Sequence, residues 1–322
     1  MTAKPFFSII VPTYNRAQKL MCAIDSVLSQ KFEDFELIIV DNGSTDGTKE
    51  RLLKRYTDPR IVYHYQIGTG SPAGPRNKGI DLSKGNWISF LDSDDLWYPD
   101  KLSCVKAAID YDSTIQVVCH DEYKLFSETG EKLPLQYGPY EKDFYMALLL
   151  GGNRLSTSAT SIRRDFLNKH ALRFNDSADY TVVEDYDLWL KLAQKGAKFE
   201  FITQPLGEFV VAGEGLSGDT RLKRNNVKKM LRAHVESLHL TTAEKCRIWH
   251  CICFRMLMGD LKYIELSSDV FYTLAQLAAT SRKHPTCIFY YLNLYLRRKL
   301  SRFLFVGSLI KFLTQKGMAG KC

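Results

Sequence analysis

Short apolar runs and helical repeats alternate through the first third of the chain. Residues 6–12, Phe-Phe-Ser-Ile-Ile-Val-Pro, form a nearly unbroken apolar run of strand length. From Ala17 to Gln30, Leu20, Ile24, Val27 and Leu28 recur at helical spacing instead. The alternation continues with a strand at Glu36–Val40, a helix ending at Tyr56 that Asp46 is placed to cap, and a strand at Ile61–Tyr65. A short helix at Pro75–Leu82, a strand at Asn86–Leu91, a helix at Lys101–Asp110 and a strand at Ile115–Cys119 follow. Strands that are apolar throughout need cover on both faces. Separated by amphipathic helices, they predict an α/β fold with a mainly parallel sheet. Ligands of such sheets bind beyond the carboxyl ends of the strands. Thr13, Asp41 and Asp92 each stand just past one of those ends.

Beyond about residue 140 the pattern loosens. Gly151-Gly152-Asn153 reads as a turn, Arg164–His170 as a short helix and Phe174–Tyr180 as a polar loop. A helix over Glu184–Lys195 turns Leu188, Trp189 and Leu192 inward, and strands follow at Lys198–Ile202 and Leu206–Val211. The Gly-rich stretch Gly213–Gly218 leads into two helices over 219–259, with Trp249, Phe254, Met256 and Leu257 inward. This organisation predicts domains 1–218 and 219–322.

Charge sharpens that division. The chain of 322 residues carries a net +8, yet residues 225–322 hold 16 Lys+Arg against 5 Asp+Glu, and residues 1–224 hold 28 against 31. The basic excess belongs to the tail, and two regions with different jobs are implied. Cys287–Lys299 and Arg302–Leu313 interleave aromatics with cations, and charges interrupt both before the ~20 residues a membrane span needs. Such a tail suits an anionic membrane surface, or a helical cap that packs on the first domain or dimerises. No recognition motif accompanies the charge, so nucleic acid is not an expected partner. The first strand begins without a basic region or cleavage site, so no signal peptide is expected. The eight cysteines lack disulfide spacing and read as buried free thiols of a cytoplasmic protein, peripheral on the inner membrane if the tail binds it.

The chemistry concentrates at Trp87-Ile88-Ser89-Phe90-Leu91-Asp92-Ser93-Asp94-Asp95, where a buried strand delivers three carboxylates in four positions. Carboxylates this crowded repel one another. A hard divalent cation holding nucleotide phosphates would relieve that repulsion; an acidic turn before the helix that follows Pro99 is the plainer alternative.

Five strings in order, Ile10–Arg16, Leu37–Thr48, Pro75–Gly79, Phe90–Asp95 and Glu184–Leu190, resemble an inverting glycosyltransferase of family 2 with the GT-A fold, of the kind that builds bacterial cell-surface glycans. The resemblance covers residues 6–210 and implies a Rossmann-like sheet with a C-terminal helical extension. It implies that Pro12, Thr13 and Tyr14 hold a nucleotide-diphospho-sugar donor, UDP-linked, against the sheet edge. Asp41 would accept a hydrogen bond from the base, Arg76 would reach the base or diphosphate, and Asp92, in the Asp92-Ser93-Asp94 turn, would bind the ribose. Asp94 would coordinate Mg²⁺ or Mn²⁺. Asp185, with Glu184 as second choice, would take the proton from the hydroxyl of a glycan or lipid-linked acceptor. Each role has a plainer counterpart. Asp41 ends a strand and can cap a helix, Arg76 can be a solvated helix-face cation, and Glu184, Asp185 and Asp187 suit any helix start.

Two departures from the family pattern stand out. Pro75 precedes Arg76 where relatives carry alanine, and no histidine lies near residues 212–218, so the diphosphate contact expected from that lid-like loop is in doubt. A non-catalytic nucleotide-sugar-binding scaffold at a membrane is the rival reading. A nucleotidyltransferase is excluded because Pro12–Arg16 is not a Gly-rich phosphate loop.

Overall fold

The computed structural model describes residues 4–211 and 220–260. The described residues divide into two compact units, one up to Leu148 with Gly152–Met230, the other Leu149–Gly151 with the described chain from Leu231. The boundary placed at 218/219, the Gly-rich loop and its missing histidine, and the aromatic-cationic tail all lie outside the described residues. Among the described residues no helix is long and apolar enough to cross a membrane.

The first unit is built on one nine-stranded sheet. Its strands are β1 Phe7–Thr13, β2 Phe35–Asp41, β3 Ile61–Tyr65, β4 Trp87–Phe90, β5 Leu96–Trp97, β6 Val117–Phe126, β7 Lys132–Leu135, β8 Thr160–Arg163 and β9 Phe199–Val211. The spatial order is β3-β2-β1-β4-β8-β6-β9-β5, with β7 on β6. The expected parallel arrangement holds across β3, β2, β1 and β4. Beyond β4 the sheet is mixed. β8 runs antiparallel to both β4 and β6, while β9 is parallel to β6.

Helices α1 Ala17–Leu28, α2 Thr48–Arg55, α3 Ala73–Leu82 and α4 Lys101–Tyr111 fall where the sequence places them. The apolar character of β1 has the expected cause. Its odd residues Phe7, Ile9 and Val11 share one core with Leu20, Ile24 and Val27 of α1 and Leu102 and Val105 of α4. Ile10 on the other face meets α3, so closely that a Cβ on Gly79 would lie 2.4 Å from its Cγ2. Asp46 caps two helices rather than one: Oδ1 accepts from the Thr48 amide and Oδ2 from the Ala17 amide.

The later elements are α5 Phe144–Gly151, α6 Arg164–Lys169, a 3₁₀ turn Ala178–Tyr180, α7 Glu184–Gln194, α8 Thr220–Glu236 and α9 Thr242–Asp260. β5, β7, α5 and β8 were not expected. The strands expected at 198–202 and 206–211 are one, broken in register where β6 meets Pro205. Trp249, Phe254 and Met256 are half-buried and Ile252 is buried, while the Leu257 side chain lies outside those described. The six cysteines described are free, as expected, but the expectation of burial fails: Cys119 is buried, while Cys22 and Cys246 are exposed. The core side of α1 is filled by Leu20, Met21, Ile24 and Val27, which leaves Cys22 on its outer face.

Candidate active site

The parallel strands end together, and the acidic residues stand on those ends. Thr13 pairs in register with Asp41 across β1 and β2. After β1, Asn15 takes a left-handed turn at φ 48, a conformation asparagine tolerates. Its side chain accepts from the Thr45 amide and its own amide donates to Ser44 Oγ, clasping the β1 and β2 exits. Tyr14 is exposed, Pro12 is buried, and the buried Thr13 Oγ1 has no hydrogen-bond partner. Asp41 is buried and receives the Ser44 amide at 2.8 Å and the Tyr63 hydroxyl at 2.7 Å. It therefore closes its own turn, and it is Asp46, not Asp41, that caps the following helix.

The β4 exit carries Asp92 and Asp94, both half-buried, on either side of the buried Ser93. Each acid has its own arginine. Asp92 accepts from Arg76 Nη2 at 2.6 Å, and Asp94 accepts from Arg16 Nη1 at 2.6 Å. Burial holds the Asp94 carboxyl above its usual range, with Arg16 opposing the shift and Asp92 adding to it. Arg76 also donates to Glu184 Oε1 at 2.8 Å, so a buried guanidinium joins the β4 exit to the start of α7. The expected solvated helix-face alternative for Arg76 does not apply. Its ring neighbour is Phe174, 5.3 Å from the guanidinium carbon.

Asp185 is the neighbour of that bridge. Its Oδ1 accepts from the Tyr186 amide, and Thr157 Oγ1 lies 3.5 Å from Oδ2. Burial and the adjacent Glu184 push its carboxyl up to about 6, with Arg76 and Lys223 opposing. A carboxylate in that range is suited to take a proton near neutrality. Asp187, by contrast, pairs with Lys191 one turn along, and Trp189 is fully buried core, as expected. Two residues before Glu184, Val182 sits at φ 71, a strained conformation for a β-branched residue. Asn226 of α8 holds this segment, donating Nδ2 to the Thr181 carbonyl at 3.0 Å.

Behind the front acids lies a buried polar layer that sequence reasoning missed. Asp95, noted only as the third carboxylate, accepts from Ser158 Oγ at 2.6 Å and from the Val210 amide at 2.9 Å. Ser158 Oγ in turn accepts from the Asp92 amide. Burial, with Glu122 and Asp92 nearby, keeps Asp95 well above the normal carboxyl range. Burial also lowers the Lys101 ammonium, which lies over the Trp97 ring and donates to Ser161. No periodic signal marks Asp95, Ser158 and Lys101, because each lies in a polar segment and meets its partners only through contacts between distant parts of the chain.

Sheet, crossovers and strand-tip acids together define a GT-A-like α/β fold. The sequence matches the Glycosyl transferase family 2 model over residues 8–170, and the chain belongs to that family and is a glycosyltransferase. It is 28% identical over 211 residues to the amylovoran biosynthesis glycosyltransferase AmsB of Erwinia amylovora, covering 63% of this chain and 69% of that one. It is 33% identical to the uncharacterized glycosyltransferase RT0329 of Rickettsia typhi, of which the match spans 59%, less than two thirds. To the UDP-Glc:alpha-D-GlcNAc-diphosphoundecaprenol beta-1,3-glucosyltransferase WfaP of Escherichia coli it is 32% identical, covering 59% of this chain and 71% of that protein. Among solved structures, S. aureus TarS 1-349 in complex with UDP-GlcNAc matches with TM-score 0.64 at 20% identity, over 84% of this chain and 80% of that one, a likeness of fold.

Proposed function

We propose that this glycosyltransferase moves a sugar, with inversion, from a UDP-linked donor to a glycan or lipid-linked saccharide acceptor in surface polysaccharide biosynthesis. The observation that carries the reading is the Asp92–Arg76–Glu184 bridge. It ties the acid just past β4 to the helix that bears Asp185, whose carboxyl is pushed up to about 6 by burial. AmsB and WfaP, which act in polysaccharide biosynthesis and on a lipid-diphosphate-linked sugar by their names, support the acceptor class.

In this reading the Pro12–Tyr14 turn and Asp41 receive the nucleotide, with exposed Tyr14 free to meet the base and Asp41 switching a hydrogen bond from its own turn to it. Ser93 stays buried and shapes the turn that aims Asp92 at the ribose. We assign Arg76 to positioning Asp92 and Glu184 rather than to the diphosphate, since both its Nη atoms are already used. Asp185 takes the proton of the acceptor hydroxyl. The acceptor oxygen bonds to the anomeric carbon from the face opposite the leaving diphosphate, whose oxygen departs with the bonding pair, and the centre inverts.

The donor set fits a hard divalent cation, Mg²⁺ or Mn²⁺, at Asp94. The ligand is a half-buried carboxylate, and among the described residues no cluster of three or more His, Cys, Asp or Glu could hold a metal alone. Most ligands would therefore come from donor phosphates and water. Bound there, the cation offsets charge on the leaving diphosphate. The test is a screen of nucleotide sugars for acceptor-dependent nucleoside-diphosphate release, with and without EDTA. Asp185→Asn is expected to lower turnover by about 10²–10⁴ while leaving UDP affinity within about twofold. Undiminished turnover in that variant would remove the mechanism.

A further inference from the structure

Both acids of Asp92-Ser93-Asp94 are ion-paired, but not in the same way. Arg76 is 5% exposed and spans two carboxylates, so it is fixed. Arg16 is 33% exposed and holds Asp94 alone. The backbone beneath Arg16 is pinned. Asn15 is clasped to the Ser44–Thr45 turn, and the first amide of α1, Ala17, is capped by Asp46 from across the loop. As the residue before the helix, Arg16 makes no capping bond of its own. Its side chain is therefore free to move while its Cα is held at the mouth of the site.

We propose that Arg16 is an exchangeable counter-ion at Asp94: it holds the carboxylate in the donor-free enzyme, yields it to the divalent cation that arrives with the donor, and turns to the donor diphosphate. This inference rests on the reading of Asp94 as the metal-binding acid. One guanidinium 2.6 Å from Oδ2 occupies the place from which a cation would be bound, so the two compete. A partly exposed pair of this kind is worth no more than about 1 kcal/mol. The competition is thus mild, corresponding to at most about fivefold in cation affinity. Charge conservation favours the exchange. A dication replacing one guanidinium would add positive charge just as the diphosphate brings negative charge, and that anion would give the displaced arginine a new partner. Arg16 would then make cation binding depend on the nucleotide, discouraging the enzyme from loading metal alone.

The test measures Mn²⁺ binding to the full chain, by calorimetry and by the spin resonance of free Mn²⁺, for wild type, Arg16→Gln and Asp94→Asn, without and with UDP. Arg16→Gln is expected to bind Mn²⁺ alone up to about fivefold more tightly, and to bind UDP in the presence of Mn²⁺ more weakly. If wild type binds Mn²⁺ alone too weakly to titrate, measurable binding in Arg16→Gln supports the exchange and its absence counts against it. Unchanged or weaker Mn²⁺ binding in Arg16→Gln, with Asp94→Asn abolishing it, overturns the inference and leaves Asp94 as the metal acid. Normal Mn²⁺ binding in Asp94→Asn overturns the underlying reading as well.

Discussion

Arg76→Met tests the bridge at the centre of the site. The substitution keeps an unbranched side chain at the position and removes the charged fork, together with its contact to the Phe174 ring. Glu184, 5% exposed, already has one oxygen without a partner, and it would lose the partner of the other. A buried carboxylate left uncompensated costs about 3–5 kcal/mol. Asp92, 31% exposed, can recover water and should add less than about 1 kcal/mol. For a unit of this size the loss corresponds to a fall in Tm of about 6–20 °C. The assay is thermal and urea unfolding of wild type, Arg76→Met, Glu184→Gln and the double variant. Because Arg76→Met/Glu184→Gln leaves no buried charge at the bridge, it should recover at least half of the loss. The coupling energy of the cycle should be about 2 kcal/mol or more. A loss below about 1 kcal/mol for Arg76→Met, or a double variant no more stable than the single, would refute the claim that this guanidinium holds the two elements together.

Because the base must be unprotonated, kcat/KM should rise with pH through about 6, and Glu184→Gln, which removes a charge that raises Asp185, should move that limb to lower pH in a pH-rate profile. The stability consequence has the opposite sense. The folded carboxyl is raised above its unfolded value, so its charge destabilises the fold above pH 6. Asp185→Asn should then raise stability there by up to about 3 kcal/mol. The gain should vanish as pH falls towards 4, as urea titrations at several pH values would register. Val182→Gly relieves backbone strain but adds chain entropy, so stability should change by less than about 1 kcal/mol. Turnover should fall severalfold at unchanged donor KM, because the segment holding Asp185 loosens; equal turnover would mean the strained turn has no positioning role.

Much of the nucleotide side was legible because it is local. A strand such as Phe7–Thr13 announces itself by a nearly unbroken apolar run, and its exit residues follow from the fold rule for parallel sheets. The start of α7 was equally plain, since the acids and the helical repeat lie in one stretch. The β8 strand was not legible. It is four residues long and pairs antiparallel with β4 some 70 positions away, so nothing in its own sequence distinguishes it from a loop. Pro205 divides the sequence signal of β9 in two, although the strand continues past the shift in register. Arg16 lay inside a motif that was recognised, yet its partner Asp94 is 78 residues distant.

The sequence by itself determined the alternation of elements, the strand tips on which the carboxylates stand and the family to which the chain belongs, because periodicity and short motifs are properties of neighbouring residues. Only the tertiary structure decided which charge meets which. It gave Asp92 and Glu184 to one buried arginine and Asp94 to another, half-exposed one, and it set Asp185 beside that bridge. Ion pairing and burial depend on distances between segments far apart in the chain, and those distances exist only once the sheet has closed.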